Sequence, residues 1–106
     1  MIGFVMVGTN DLDKAINFYD SILDIIDLKR VGKTDTYASY APKNNLEAIE
    51  FYVTTPYNNE KATIGNGTQI SFYIDSKDKV DSFHSSALSL GAKDEGTPGE
   101  RGRRTP

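Results

Sequence analysis

The chain has 106 residues, which allows one domain with one modest hydrophobic core. Its formal net charge of −3 argues against a nucleic-acid-binding surface, which requires clustered positive charge. The lack of cysteine excludes disulfides and thiolate chemistry, and the single histidine, His84, excludes a site with two imidazoles from one chain. The opening MIGFVMVGTNDLD has no basic leader and no apolar run of membrane-spanning length, so we expect a cytoplasmic protein that contacts no membrane.

The first half of the chain predicts one strand, one helix and then further strands. Residues 2–9 are apolar and β-rich, which is typical of a buried strand. In NDLDKAINFYDSIL the apolar residues recur at helical spacing, and Asn10 is expected to cap this helix. The stretches LKRVGKTDTYASYAP and NLEAIEFYVTT are typical of strands joined by turns, and PYNNEKATIGNG is expected to be a loop.

The second half begins with the same pattern of a strand followed by a helix. In TQISFYID, isoleucine and phenylalanine side chains alternate with those of Gln69, Ser71 and Tyr73, so the two sets should face opposite ways. A helix should begin near Ser76 and stop at Gly91. His84 lies within this helix, where it is expected to be a packed or hydrogen-bonded residue rather than a ligand or base.

An internal repeat relates the two halves. Residues 67–91, moved back by 65 positions, fall on 2–26 with five identities, and Gln69 then falls on Phe4. This predicts a single domain, 1–106, made of a first module, 1–57, and a partial second module, 65–106. The first module finishes near Thr55, so its counterpart should finish beyond Pro106. The second module is therefore expected to be incomplete at its C-terminus, either by truncation or cleavage or because a partner chain covers the gap.

The C-terminal stretch GAKDEGTPGERGRRTP offers little to bury because it is charged and rich in glycine and proline. Its basic cluster is expected to be a solvated tail, and it consists of Arg101, Arg103 and Arg104.

The stretches DLDKAINFYDSIL and GNGTQISFYIDSKDKVDSFHSSALSLGAKDEGTPGERG resemble the module openings of one protein family. This is the glyoxalase, bleomycin-resistance and extradiol-dioxygenase superfamily, also called the vicinal oxygen chelate proteins. The resemblance implies an α+β fold of paired βαβββ modules, within or between chains, whose mixed sheet curls around a cleft. The fold hosts many functions, so it does not identify an activity.

In enzymes of that family a divalent metal is held by residues of the first and last strand of each module. By register these positions are Phe4, Glu50, Gln69 and one residue beyond Pro106. Phenylalanine donates no lone pair, and a glutamine carbonyl is a weak ligand. A catalytic site normally keeps about three protein ligands. We therefore expect no metal, no cofactor and no catalytic residue in this chain.

Strand alternation instead predicts a cleft that binds a small molecule. Its walls should be aromatic and thioether surface with a few polar handles, namely Phe4, Met6, Glu50, Tyr52, Gln69, Ser71 and Tyr73. Glu50 with the aromatic faces would favour a flat or cationic organic compound, such as a cationic aromatic one. The alternative is that Glu50 lies on a solvated sheet face or forms a hydrogen bond with Gln69 or a tyrosine.

Three functions follow. The first is a non-enzymatic binding protein, a homodimer that sequesters or senses a small organic ligand. The second is a metal-dependent lyase, isomerase or dioxygenase whose site is completed by a partner chain or by residues beyond Pro106. The third is an incomplete module that serves only for oligomerisation.

Overall fold

Two helices and four strands make up the regular structure of a computed structural model that describes residues 1–94, 96, 98 and 99. The predicted basic tail lies outside these residues. In chain order the elements are β1 (Val5–Gly8), α1 (Leu12–Ile25), β2 (Leu28–Lys33), β3 (Tyr37–Pro42), β4 (Phe51–Thr54) and α2 (Lys77–Ser89). The α+β class expected from the sequence is confirmed. Neither of these two helices has the length or the apolar character that a membrane crossing requires.

The four strands form one open mixed sheet in the order β1-β4-β3-β2. β1 runs parallel to β4, with Val5 opposite Phe51, whereas the other two pairs are antiparallel. A register shift between Arg30 and Gly32 marks an irregularity in β2. β1 and β4 are shorter than the predicted strands because residues 2–4 and 45–50 pair only in part.

The hydrophobic core lies between one face of the sheet and the two helices. Helix α1 contributes Ile16, Ile22 and Leu23, and the facing strands contribute buried residues that include Phe51. The Phe51 ring also contacts Phe72, 5.6 Å away between ring centroids. Because Phe72 belongs to the second half of the chain, this contact joins both halves in one core.

Both helices begin with the same cap arrangement, 65 positions apart. Asp11 accepts a hydrogen bond from the Lys14 amide, and Ser76 accepts one from the Lys79 amide. The prediction that the second helix begins near Ser76 is confirmed, whereas the prediction that Asn10 caps α1 is wrong. The Asn10 side chain instead accepts a hydrogen bond from the Ala62 amide and donates one to the Ala62 carbonyl.

The segment 68–74, predicted to be a strand, belongs to no sheet in the described part of the chain. A strand requires a hydrogen-bonded neighbour, and among the described residues β1 pairs with β4 alone. The predicted alternation of the segment nevertheless holds for its last residues. Phe72 and Ile74 are half-buried, while Ser71 and Tyr73 are exposed.

Candidate functional site

The sheet face that points away from the helices carries an exposed apolar cluster. Alternation places Met6 and Tyr52 on this face, and the register of β1 and β4 sets them opposite each other. The Phe4 ring meets the Tyr52 ring edge-on, with centroids 4.9 Å apart. Phe4 and Met6 are each 53 % exposed, so no helix covers them. The structure thus brings together three residues that the sequence predicted for one cleft wall.

Tyr37, on β3, extends this cluster and was missed by the sequence reasoning. Its ring centroid lies 5.7 Å from that of Tyr52, again in an edge-on arrangement. The signal was available in the sequence YASYAP, because Tyr37 alternates with the buried Ala38 and Tyr40. We call the set Phe4, Met6, Tyr37 and Tyr52 the aromatic face.

Glu50 lies at the end of the aromatic face, just before β4. Its amide donates to the Tyr40 carbonyl and its carbonyl accepts from the Val5 amide, each at 3.0 Å. These bonds fix the backbone between β1 and β3, and alternation puts the side chain on the same face as Tyr52. The side chain is exposed, and no cation within the described residues forms an ion pair with it. Glu50 is therefore available to a cationic ligand.

The remaining predicted residues lie along the segment 68–74. Ser71 and Tyr73 share with Glu50 the lining of a cavity of about 580 Å³. The Gln69 side-chain nitrogen donates to the Ser71 hydroxyl at 3.0 Å. Met6 contributes to another cavity, of about 560 Å³, with Thr68 and Ile70 of the same segment. The segment thus contributes to one cavity beside Glu50 and to another beside β1.

A family model supports the assignment that the sequence pattern suggested. The model of the glyoxalase/bleomycin resistance protein/dioxygenase superfamily matches residues 1–105. The chain belongs to this superfamily. A glyoxalase/bleomycin resistance protein from Albidiferax ferrireducens T118 has a similar crystal structure, with a TM-score of 0.82 and 34 % sequence identity. The match covers 95 % of this chain and 82 % of that one. No functionally curated protein matches the chain significantly.

Three of the four positions that the resemblance names for a metal lie within the described residues, and their side chains form a poor donor set for a divalent metal. Phe4 has no donor atom, and its ring packs on Tyr52. Gln69 offers one neutral oxygen and bonds Ser71 through its nitrogen. Glu50 supplies the one carboxylate of the set, and no three His, Asp or Glu side chains converge anywhere in the described residues. A single carboxylate beside an amide falls short of the donor set that transition metals require.

His84 is a helix residue within the superfamily fold, and it lies away from the aromatic face. It sits in α2 with its side chain 26 % exposed, and Nε2 is 3.7 Å from the Asp94 carboxylate. His84 is thus a half-buried residue in the middle of α2 that approaches a carboxylate beyond the end of the helix, and the part expected for it stays a prediction.

Proposed function

We propose that this superfamily member is a small-molecule-binding protein and that its ligand is an organic cation with an aromatic body. The observation that carries the proposal is the aromatic face. On the sheet face that the helices leave open, it presents the exposed Phe4 and Tyr37 rings, the Met6 thioether and the half-buried Tyr52 ring. Apolar walls with a few polar groups are the usual composition of ligand sites.

Glu50 supplies the polar group that selects a cation. Its side chain follows the same sheet face as Phe4 and Tyr52, and the described residues offer it no ion-pair partner. A cation over an aromatic ring gains about 0.5–1 kcal/mol at an exposed site. A carboxylate beside the rings strengthens the same preference, so neutral and anionic analogues should bind more weakly.

The side chains at the metal positions favour binding of a small molecule over metal-dependent catalysis. The positions that would hold a metal contribute one carboxylate, one amide that is already hydrogen-bonded, and one phenylalanine. The ligand would be sequestered or sensed unchanged.

A thermal-shift screen with a panel of cationic aromatic compounds tests this function. We expect stabilisation of the wild-type protein that grows with ligand concentration, because a ligand that binds the folded state stabilises it. Glu50→Gln should weaken binding about five-fold, in line with the loss of one exposed charge interaction. Glu60→Gln, which removes the same charge from the exposed loop, should bind like the wild type. A panel without effect, or equal binding by both variants, contradicts the proposal.

The active form is proposed to be a homodimer. Support comes from the segment 68–74, which lacks a sheet partner among the described residues. Two of its apolar side chains are exposed, Ile70 to 36 % and Tyr73 to 90 %. A second copy that pairs with this segment would satisfy its backbone groups and cover its apolar side chains.

Sedimentation velocity tests the dimer directly. The wild-type chain should sediment as a dimer, and Ile70→Lys should shift it toward the monomer, because an edge lysine opposes strand pairing. Lys61→Ala, an exposed loop change, serves as the control. A monomeric wild-type chain at ligand-binding concentrations contradicts the dimer while leaving the binding proposal to its own test.

A further inference from the structure

Each helix begins beside the end of the other, and a cavity lies at each of these two places. The larger one, here called the Lys14 cavity, has a volume of about 280 Å³ and includes Lys14, Phe18, Tyr19, Leu90, Gly91 and Ala92. The smaller one, here called the Lys79 cavity, has a volume of about 140 Å³ and is lined by Ile26, Asp27, Tyr73, Ile74, Asp75 and Lys79.

The two cavities occupy equivalent places in the repeat. Lys14 and Lys79 are 65 positions apart, and each is the third residue of its helix, with its amide bonded to the cap side chain. On the opposite wall, Asp27 follows the end of α1, and Ala92 stands 65 positions later, after the end of α2. One cavity can therefore be compared residue by residue with the other.

The two cavities differ at the position of Asp27, whose carboxylate has no equivalent in the Lys14 cavity. In the Lys79 cavity the ammonium of Lys79 lies 3.0 Å from the Asp27 carboxylate. In the Lys14 cavity the equivalent position carries only the methyl group of Ala92. Asp11 also borders that cavity, but its carboxylate accepts the Lys14 amide, and Lys14 has no ion pair within the described residues. Lys14 therefore lacks, within the described residues, the ion-pair partner that Lys79 has, although the Asp11 carboxylate also borders the cavity.

We propose that the Lys14 cavity binds a small organic anion, a carboxylate with an apolar body, whose charge takes the place that Asp27 takes in the Lys79 cavity. The apolar body would contact Phe18, Tyr19 and Leu90, which are half-buried around the opening. Burial raises the pKa of the Tyr19 hydroxyl, so this group stays neutral and does not repel the anion.

The end of a helix carries partial negative charge, which opposes an anion placed there. The molecule already shows how this effect is overcome, because Asp27 holds a carboxylate directly after α1 with Lys79 as its partner. The proposed site lies on the helix side of the sheet and is separate from the aromatic face, so it would take a ligand of opposite charge.

The test is an amide-resolved nuclear magnetic resonance titration with phenylacetate as the probe and phenylacetamide as its neutral counterpart. Phenylacetate should cause saturable shifts at Lys14, Gly91 and Ala92, with a dissociation constant of about 1 mM, which is typical of so small a ligand. Phenylacetamide should bind more weakly by at least about five-fold, as expected for loss of a charge-assisted contact.

Three variants test whether phenylacetate binding depends on the Lys14 ammonium and on the absence of a carboxylate at residue 92. Lys14→Met keeps the aliphatic stem and should weaken phenylacetate binding at least about five-fold. Ala92→Asp restores the carboxylate of the repeat, so it should fill the cavity and abolish binding. Lys79→Met is the matched control and should bind phenylacetate as the wild type does. Unchanged spectral dispersion confirms that each variant is folded.

The proposal is overturned if phenylacetate gives no saturable shifts at these amides in the wild-type protein. It is also overturned if Lys14→Met and Ala92→Asp bind the probe as well as the wild type, or if phenylacetamide binds equally tightly.

Discussion

Lys79 donates a hydrogen bond to Asp27 across 52 positions of sequence, with the Nζ and Oδ2 atoms 3.0 Å apart. The pair ties the start of α2 to the turn that follows α1. The hydrogen bond from Lys79, reinforced by its charge, lowers the pKa of Asp27 below its ordinary value. The same hydrogen bond raises the pKa of Lys79.

The first prediction concerns the pH dependence of this pair. Because the folded-state pKa of Asp27 is lowered, its contribution to stability is present above the ordinary value of 3.8 and is lost as the pH falls through the folded value. Because the pKa of Lys79 is raised, its contribution is present below 10.5 and is lost as the pH rises through its folded value. Asp27→Asn should remove the first dependence and weaken the second, because the charge of Asp75 also raises the pKa of Lys79.

Urea unfolding across the acid range measures the first of these effects. The wild-type protein should lose stability relative to Asp27→Asn as the pH falls below 3.8. Asparagine suits the control because residue 27 has a φ of 64°, a backbone conformation that asparagine tolerates better than most residues. Parallel curves for the two proteins would show that the pair does not contribute to folding.

The second prediction concerns the buried hydroxyl of Tyr40. This residue is fully buried, and its hydroxyl donates to the Asp20 carboxylate at 2.8 Å, while Arg30 Nε lies 3.2 Å from both oxygens of that carboxylate. Burial, together with this bond, raises the pKa of Tyr40. Tyr40→Phe should lower the free energy of unfolding by about 1–2 kcal/mol, as expected for one lost hydrogen bond to a partly buried charge.

Denaturant unfolding checks this value, with Tyr73→Phe as the control. The Tyr73 side chain is 90 % exposed, so its variant should change stability by less than about 0.5 kcal/mol. Equal effects of the two substitutions would show that the Tyr40 hydroxyl does not stabilise the core.

The third prediction separates the parts played by two neighbouring residues. Asn10 accepts from the Ala62 amide at 2.7 Å and donates to the Ala62 carbonyl at 3.1 Å. Asn10→Ala should accelerate hydrogen exchange at Ala62 by about five-fold, because a lost hydrogen bond is worth about 1 kcal/mol. Asp11→Ala should instead accelerate exchange at Lys14, since it removes the helix cap.

Hydrogen exchange followed residue by residue distinguishes the two variants. If Asn10→Ala accelerates exchange in the first turn of α1 and leaves Ala62 unchanged, then Asn10 acts as the cap after all and the loop is held by other contacts.

The sequence predicted the helices and the faces of β1 and β4 well because both signals are local. The helical spacing of apolar residues identified α1 and α2, and alternation correctly separated Phe51 from Tyr52. The helix cap was misassigned because Asn10 and Asp11 are both good caps, and a long-range contact with Ala62 decided between them.

The candidate site was harder to predict because it depends on how distant segments meet. The sequence placed Gln69, Ser71 and Tyr73 on one strand, but the segment 68–74 finds no hydrogen-bonded neighbour within the described residues. Whether that segment faces the same ligand as Phe4 therefore stays a prediction. The alternation in YASYAP indicated the face of Tyr37, but its contact with Tyr52 depends on the pairing of β3 with β4, and the sequence analysis did not predict it.

The account as a whole depends on the aromatic face as a binding surface for a cation. The most direct measurement is a set of intermolecular nuclear Overhauser contacts between the tightest cationic aromatic ligand of the screen and the protein. The account predicts contacts to the Phe4 and Tyr52 rings and to the Met6 methyl group, all weakened in Glu50→Gln. Contacts only to helix residues such as Phe18 and Leu90, or a ligand that binds equally well without the Glu50 charge, would contradict it.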